Sequence, residues 1–273
     1  NYREKSHYVT CDNYVTLSDG TGVVHIAPAF GEDDAKVGRK YDLPFVQLVD
    51  GKGEMTAETP YAGVFVKKAD PLVLTDLDKK GLLFDAPKFE HSYPHCWRCH
   101  HPIIFRATEQ WFMSIDKDGL REKLMQNLDN VKFYPAGGDE RMRSMIGLRP
   151  DWCLSRQRFW GSPVTILYCK KCGKAQINHD LFNFIKERAM NEGSDFWFID
   201  PVEKLMPQGY TCECGSHDFR KETDIMDVWF DSGSSHKGVL KVRDELVTPA
   251  DLYLEGSDQH RGWFNSSLLT SVA

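Results

Sequence analysis

The chain has 273 residues, a length for about two domains and ample for a buried core. Hydrophobic residues make up 41% and charged residues 27%, which excludes wholesale disorder. A net charge of −6 removes whole-chain basicity as an argument for nucleic acid but leaves room for a local basic stripe. No apolar run reaches the ~20 residues that a membrane span requires. No basic-then-apolar leader opens the sequence, so no secretory signal is expected. The chain starts at Asn1 and reads as a piece of something longer.

In chain order, residues 1–85 open β-rich. Residues 7–11, 14–17 and 22–26 carry the β-branched and aromatic residues of short strands, with a turn at Asp19 and Gly20 and a stop at Pro28. Acids at 32–34 open a helix that runs to Tyr41. A turn follows at 50–53, then a helix over 70–80 closed by Gly81. Residues 91–101 form a loop of aromatic and metal-ligating side chains, and 103–113 read as a strand. Leu120, Leu124 and Leu128 step by four in a helix over 118–128. Gly137 and Gly138 break the chain before a short helix over 139–146. A cysteine-bounded insertion contains a helix over 180–191. The last fifty residues read as two strand–turn–helix units, with strands at 227–230 and 252–255.

Six of the eight cysteines fall in close pairs, which favours zinc over disulfides and a reducing compartment. Cys169 and Cys172, followed by Gly173, form one knuckle; Cys212 and Cys214, followed by Gly215, form another. Four thiolates make a closed tetrahedral structural site with no open position for catalysis. The second pair has one intervening residue, so His217 is an alternative ligand to Cys214. Cys96 and Cys99 form a third knuckle without a partner pair; nearby histidines complete it, an outside pair does, or it stays empty.

Four further segments carry chemistry. Glu255, Gly256, Asp258 and Gln259 lie where a strand meets a polar helix start, the layout of a ligand crevice or of an ordinary helix cap. Trp229 precedes a Gly/Ser-rich turn that suits a phosphate or an apolar pocket wall. His25 and the acids ending at Asp34 surround one turn, where a carboxylate holds an ammonium group or merely faces a helix dipole. Arg149, Arg156 and Arg158 alternate with aromatics, which suits RNA or a junction where arginines pair with acids.

Together, in order, the segments GTGVVHIAPAFGEDD (20–34), SYPHCWRC (92–99), FRATEQWF (105–112), WCLSRQRFWG (152–161), DVWFDSGSS (227–235) and YLEGSDQHRGWF (253–264) resemble the isoleucyl-tRNA synthetase family of class I aminoacyl-tRNA synthetases. The valyl and leucyl relatives typically differ inside these segments. The resemblance implies a mixed α/β chain. Residues 1–90 would be the later part of a β-barrel-like editing domain. Residues 91–223 would return to the catalytic domain and carry a zinc-ribbon insertion at about 165–220. Residues 224–273 would be part of a Rossmann-type catalytic domain.

It also implies roles. Glu255 contacts the isoleucyl-adenylate, and Gly256, Asp258, Gln259 and Trp229 line the same site. Asp34 grips the amino group of a misacylated end, and His25 lies in that editing pocket. Isoleucine and valine differ by one methylene, worth only ~1–3 kcal/mol in a pocket, a limit for which this family is the standard example. Ala29 and Phe30 stand where many bacterial relatives carry Gly-His. The implied partners are tRNA(Ile), isoleucine and ATP with Mg2+, with structural Zn2+ as cofactor, in a cytoplasmic monomer that touches no membrane. The His-Ile-Gly-His and Lys-Met-Ser-Lys-Ser segments are not in this sequence, so the chain alone is expected to be inactive. The competing readings are a zinc-stabilised RNA-binding module without catalysis and a piece of the valyl enzyme.

Overall fold

The structure, a computed structural model, describes every residue except Asn1, Asp19 and Phe89, and leaves aside the side chains of Tyr2 and Arg3. The expected turn residue Asp19 lies outside the described residues. Two compact units form, Asn1–Glu109 and Gln110–Ala273.

The first unit holds α1 (Tyr2–Ser6), α2 (Glu32–Lys40) and α3 (Val66–Lys79). α2 begins at Glu32, Asp33 and Asp34 and ends at Arg39 and Lys40, so both ends complement the helix dipole. α3 starts ahead of the expected Asp70 and carries Pro71 inside it. Residues 7–11, 14–17 and 22–26 are not strands. Among the described residues this unit pairs only through isolated bridges, Val49–Met55, Glu54–Phe65 and His95–Pro102. A strand exists by virtue of a hydrogen-bonded neighbour. Without one, Val9, Leu17 and Val23 stay exposed on irregular backbone, and no closed barrel forms among the described residues.

In chain order the second unit runs β1 (Phe112–Met113), α4 (Leu120–Asn127), α5 (Gly138–Gly147), β2 (Trp152–Cys153), β3 (Ser155–Arg156), β4 (Leu167–Cys169), β5 (Ala175–Gln176), α6 (His179–Glu192), α7 (Phe196–Ile199), β6 (Phe219–Lys221), β7 (Ile225–Met226), α8 (Val228–Gly233) and α9 (Trp263–Val272). The leucine step of α4 is fully used: Leu120, Leu124 and Leu128 are buried with Met142 and Ile146 of α5, Trp152 and Leu269 of α9. A second, separate core lies within the cysteine insertion, where Leu181 and Ile185 of α6 meet Leu167, Phe196, Trp197, Leu205 and Phe219.

Every strand pair is antiparallel: β1 with β2, β3 with β7, and β4 between β5 and β6. The parallel sheet expected of a Rossmann-type half is absent among the described residues. The strand expected over 103–113 shrinks to β1. The strand expected over 227–230 is instead α8, because the Asp227 carboxylate accepts the Trp229 amide at 3.2 Å and caps a helix. Residues 252–255 form no regular strand, again for want of a pairing neighbour.

Candidate functional site

Asp227 is 5% exposed and organises the ground on which the second unit's candidate residues stand. One carboxylate oxygen accepts the Trp152 indole N–H at 2.9 Å and an Arg156 guanidinium N–H at 2.8 Å; the other caps α8. The backbone completes the clamp, since the Asp227 amide donates to the Leu154 carbonyl at 2.6 Å. Arg156 thus takes the ion-pair role left open by its sequence. Arg149 instead lies over the Trp152 ring at 5.4 Å. Phe159 and Trp160 are exposed.

α8 then packs on α9 with almost no clearance. A Cβ on Gly233 would come within 2.7 Å of the Ser266 carbonyl oxygen. The Trp263 indole donates to the Ser232 carbonyl at 2.9 Å, and the Thr270 hydroxyl to the Gly233 carbonyl at 2.7 Å. This crossing sets Trp229 beside the turn Ser257–His260. A Cβ on Gly262 would lie 2.4 Å from the Gln259 side-chain oxygen and 3.0 Å from the Trp229 ring, so the structure brings these two candidates together over bare backbone. The Gln259 oxygen accepts the Trp263 amide at 2.8 Å and so caps α9. Its amide nitrogen reaches the Asp258 carboxylate at 3.4 Å. Glu255, Gly256 and Asp258 are exposed at the same turn. His260, which sequence reasoning passed over, is buried there between Phe133 and Phe264.

In the first unit, the side chain of Asp34 folds back over Gly31. Burial pushes its carboxyl above the ordinary value; a hydrogen bond from the Ala27 backbone and the nearby His25 act in the opposite sense. Tyr14 is held above the ordinary phenol value by burial first and then by the charges of Asp34, Asp33 and Asp12. Asp34 thus lies within electrostatic reach of His25, and Tyr14 within that of the same carboxylates.

The cysteine insertion gathers four sulfurs. One ligand atom from each of Cys169, Cys172, Cys212 and Cys214 lies within 4.8 Å of the others. The closest approaches are 3.6 Å, for Cys169 with Cys214 and for Cys172 with Cys212. Zinc–sulfur bonds of about 2.3 Å in a tetrahedron would place sulfurs about 3.8 Å apart, so the donor set fits the ion. Each knuckle closes through glycine: Gly173 and Gly215 have φ of +74° and +77° and donate to the Cys169 and Cys212 carbonyls. The Gln176 amide points at the Cys212 sulfur from 3.6 Å, and Lys174 joins Glu213 across the knuckles at 2.8 Å. A hydrogen bond from the Cys172 amide pulls the Cys169 thiol down to about 6. The Lys174 amide favours the Cys172 thiolate, but burial and the neighbouring sulfurs outweigh it and push that thiol up to about 11. His217 is engaged elsewhere, with its Nδ1 3.1 Å from the Tyr210 carbonyl, and Cys214 occupies the cluster. Around Cys96 and Cys99, no group of three metal-ligating side chains forms among the described residues.

One network escaped sequence reasoning because its members are far apart in the chain. The Trp111 indole donates to the Tyr168 hydroxyl at 2.9 Å, which donates to Glu222 at 2.6 Å. Burial pushes Glu222 up, but Tyr168, the amides of Asp224 and Thr223, and Trp111 together hold it below the ordinary carboxylate value. Tyr168 is pushed up to about 12 by burial and by the Glu222 hydrogen bond.

Comparison with known proteins gives this geometry its context. Residues 1–273 match the family of tRNA synthetases class I (I, L, M and V), and the chain belongs to that family. Within it, the chain is 54% identical over 271 residues to an isoleucine–tRNA ligase of Desulfitobacterium hafniense (strain DSM 10664 / DCB-2), covering 99% of this chain and 29% of that protein. It is 52% identical to the isoleucine–tRNA ligase of Thermoanaerobacter sp. (strain X514), with the same coverage of both. To that of Moorella thermoacetica (strain ATCC 39073 / JCM 9320) it is 50% identical over 272 residues, again 99% of this chain and 29% of that protein. The chain thus spans less than a third of the length of these relatives. No helix among the described residues is long and apolar enough to cross a membrane.

Proposed function

We propose that the full-length protein carrying this chain is an isoleucine–tRNA ligase. It activates isoleucine with ATP and Mg2+, transfers it to tRNA(Ile) in the cytoplasm, and hydrolyses misacylated valyl-tRNA(Ile). The observation that carries this reading is the match to isoleucine–tRNA ligases across 99% of the chain at 54% identity. In this reading residues 224–273 belong to the catalytic domain, and Glu255 contacts the aminoacyl-adenylate. Gly256 lets the ligand approach the backbone, while Asp258, Gln259 and Trp229 wall the same crevice. The juxtaposition of Trp229 and Gln259 over Gly262 supports that assignment.

Residues 1–90 belong to the editing domain. There Asp34 holds the amino group of the misacylated end, and His25 positions water. The electrostatic influence of His25 on the Asp34 carboxyl supports a shared pocket. Residues 91–223 connect the two, and Cys169, Cys172, Cys212 and Cys214 hold a structural Zn2+ in the segment about 165–220. The ion would supply cross-linking alone, since four thiolates leave no open position.

The test is isoleucine-dependent ATP–pyrophosphate exchange by the full-length protein. Exchange with isoleucine, lost in Glu255→Ala, is the expected result. Exchange supported by valine in preference to isoleucine would sink the reading. The 273-residue chain by itself is expected to give no exchange.

A further inference from the structure

The second unit carries a basic pocket that none of these roles uses. It is a cleft of about 450 Å³ lined by Arg141, Ser144, Leu148, Arg149, Arg261 and Asn265, among others. The three arginines come from different elements: α5, the segment after it, and the turn before α9. Among the described residues none of the three forms an ion pair. The Arg149 guanidinium lies over the Trp152 ring, 5.4 Å from its centre, and its Nε is buried without a hydrogen-bond partner. Burial pushes this guanidinium below the ordinary arginine value, against the pull of the Asp227 charge.

Asn265 is 2% exposed, reaches the same cleft, and leaves its side-chain oxygen buried without a donor. Buried polar groups are rarely left so unless something else satisfies them. Rotation of the amide about its last torsion presents either end to a ligand, the oxygen to a hydroxyl or the nitrogen to an oxyanion. The surroundings are also built for negative charge. Carbonyls at the end of α5 would repel an anion, but Arg121 occupies those of Ile146, Gly147 and Arg149. Asn265 lies in the first turn of α9, where the helix dipole favours an anion.

We propose that this pocket binds a backbone phosphate of RNA. Arg149 supplies the guanidinium seated over Trp152, while Arg141 and Arg261 close on the phosphate from the rim. Leu148, 85% exposed at the mouth, gives a sugar or base an apolar seat. A hydroxyl-bearing sugar phosphate meets both the unpaired cations and the unpaired amide, which a bare phosphate does not. The inference builds on the RNA substrate of the proposed function.

The test is binding of a tRNA transcript to the full-length protein over a series of salt concentrations, for wild type, Arg141→Gln, Arg141→Lys and Arg261→Gln. Each lost phosphate contact lowers the slope of log K against log salt by about 0.7–0.9. The expected result is weaker binding and a slope reduced, by no more than about one, in each glutamine variant, with the slope restored in Arg141→Lys. Isoleucine-dependent exchange, which needs no RNA, stays unchanged in Arg141→Gln. Unaltered affinity and slope in both glutamine variants would overturn the proposal. So would pyrophosphate protection of the wild type alone combined with unaltered RNA slopes, which would make this a free-phosphate site. Lack of exchange in the wild type would count against the ligase reading and leave the slope result standing.

Discussion

The carboxylate of Asp227 lies 2.9 Å from the indole nitrogen of Trp152, 75 residues away in the chain. The two belong to different motifs of the sequence, and their bond locks those motifs together. Replacing Asp227 with alanine strands the Trp152 N–H, the Arg156 charge and the Trp229 amide of α8 at once. The expected loss is about 3 kcal/mol, the lower end for a broken buried pair because Arg156 reaches solvent. Asp227→Asn keeps one acceptor oxygen but loses the charge and puts an amide nitrogen in place of the other oxygen, so an intermediate loss of about 1–2 kcal/mol is expected. Denaturant melts of the full-length protein check both; equal loss in the two variants would count against the clamp.

The four-sulfur cluster predicts a defined metal count. Elemental analysis of the full-length protein should show one fewer zinc per chain in the double variant Cys169→Ser, Cys172→Ser than in the wild type. The helix packed on the cluster should also lose protection from hydrogen exchange. The same zinc content in both proteins would show that these thiols hold no ion.

Tyr168 predicts a stability change at high pH. Its phenol is pushed up to about 12 in the folded protein, whereas an unfolded tyrosine ionises near 10. The folded state therefore binds more protons between these values. The contribution is fully present below about pH 10 and is lost as pH rises toward 12. Melts of wild type against Tyr168→Phe over that range should converge as pH rises. A constant difference would mean that the phenol titrates normally.

The α8–α9 crossing leaves no room for a methyl group at Gly233. The atoms in the way are backbone atoms of Ser266, which cannot swing aside. Gly233→Ala should therefore cost about 1–3 kcal/mol by overpacking, read as a lower midpoint in urea. A neutral substitution would show that the helices can separate without penalty.

Gly262→Ala separates position from stability. Here the added carbon meets the ends of Gln259 and Trp229, both able to turn. Stability should fall by no more than about 1 kcal/mol, as Gln259 gives up the Trp263 amide, while isoleucine-dependent exchange should fall by about tenfold to a hundredfold through displaced side chains. Full activity would remove Trp229 and Gln259 from the proposed crevice.

Some of this was legible in the sequence. The leucine step of α4 and the extents of α5 and α6 follow from local periodicity, which needs no distant partner. The two cysteine knuckles follow from spacing, and all four sulfurs meet. Residues 7–11, with Tyr8, Val9 and Thr10, and residues 252–255, with Leu252, Tyr253 and Leu254, have the apolar and aromatic composition of strands but no neighbour to pair with. Val228 and Phe230 suggested a strand until the Asp227 cap decided for a helix. Trp111, Tyr168 and Glu222 had no readable signal at all; their bonds join residues up to 111 positions apart. Local patterns show elements, whereas such networks exist only once the chain has folded.

The strands bounding the cysteine insertion have one more consequence. The chain enters along Ser162 and Val164 and leaves along Asp224 and Met226, with these two passages bonded to each other at 2.7 and 3.0 Å. Everything between them closes around its own apolar centre. The insertion is a cassette hung on one doorway and one side bond: exchanging it asks the frame to keep two adjacent strands in register and to find the Trp111 indole a new acceptor in place of Tyr168 and Glu222.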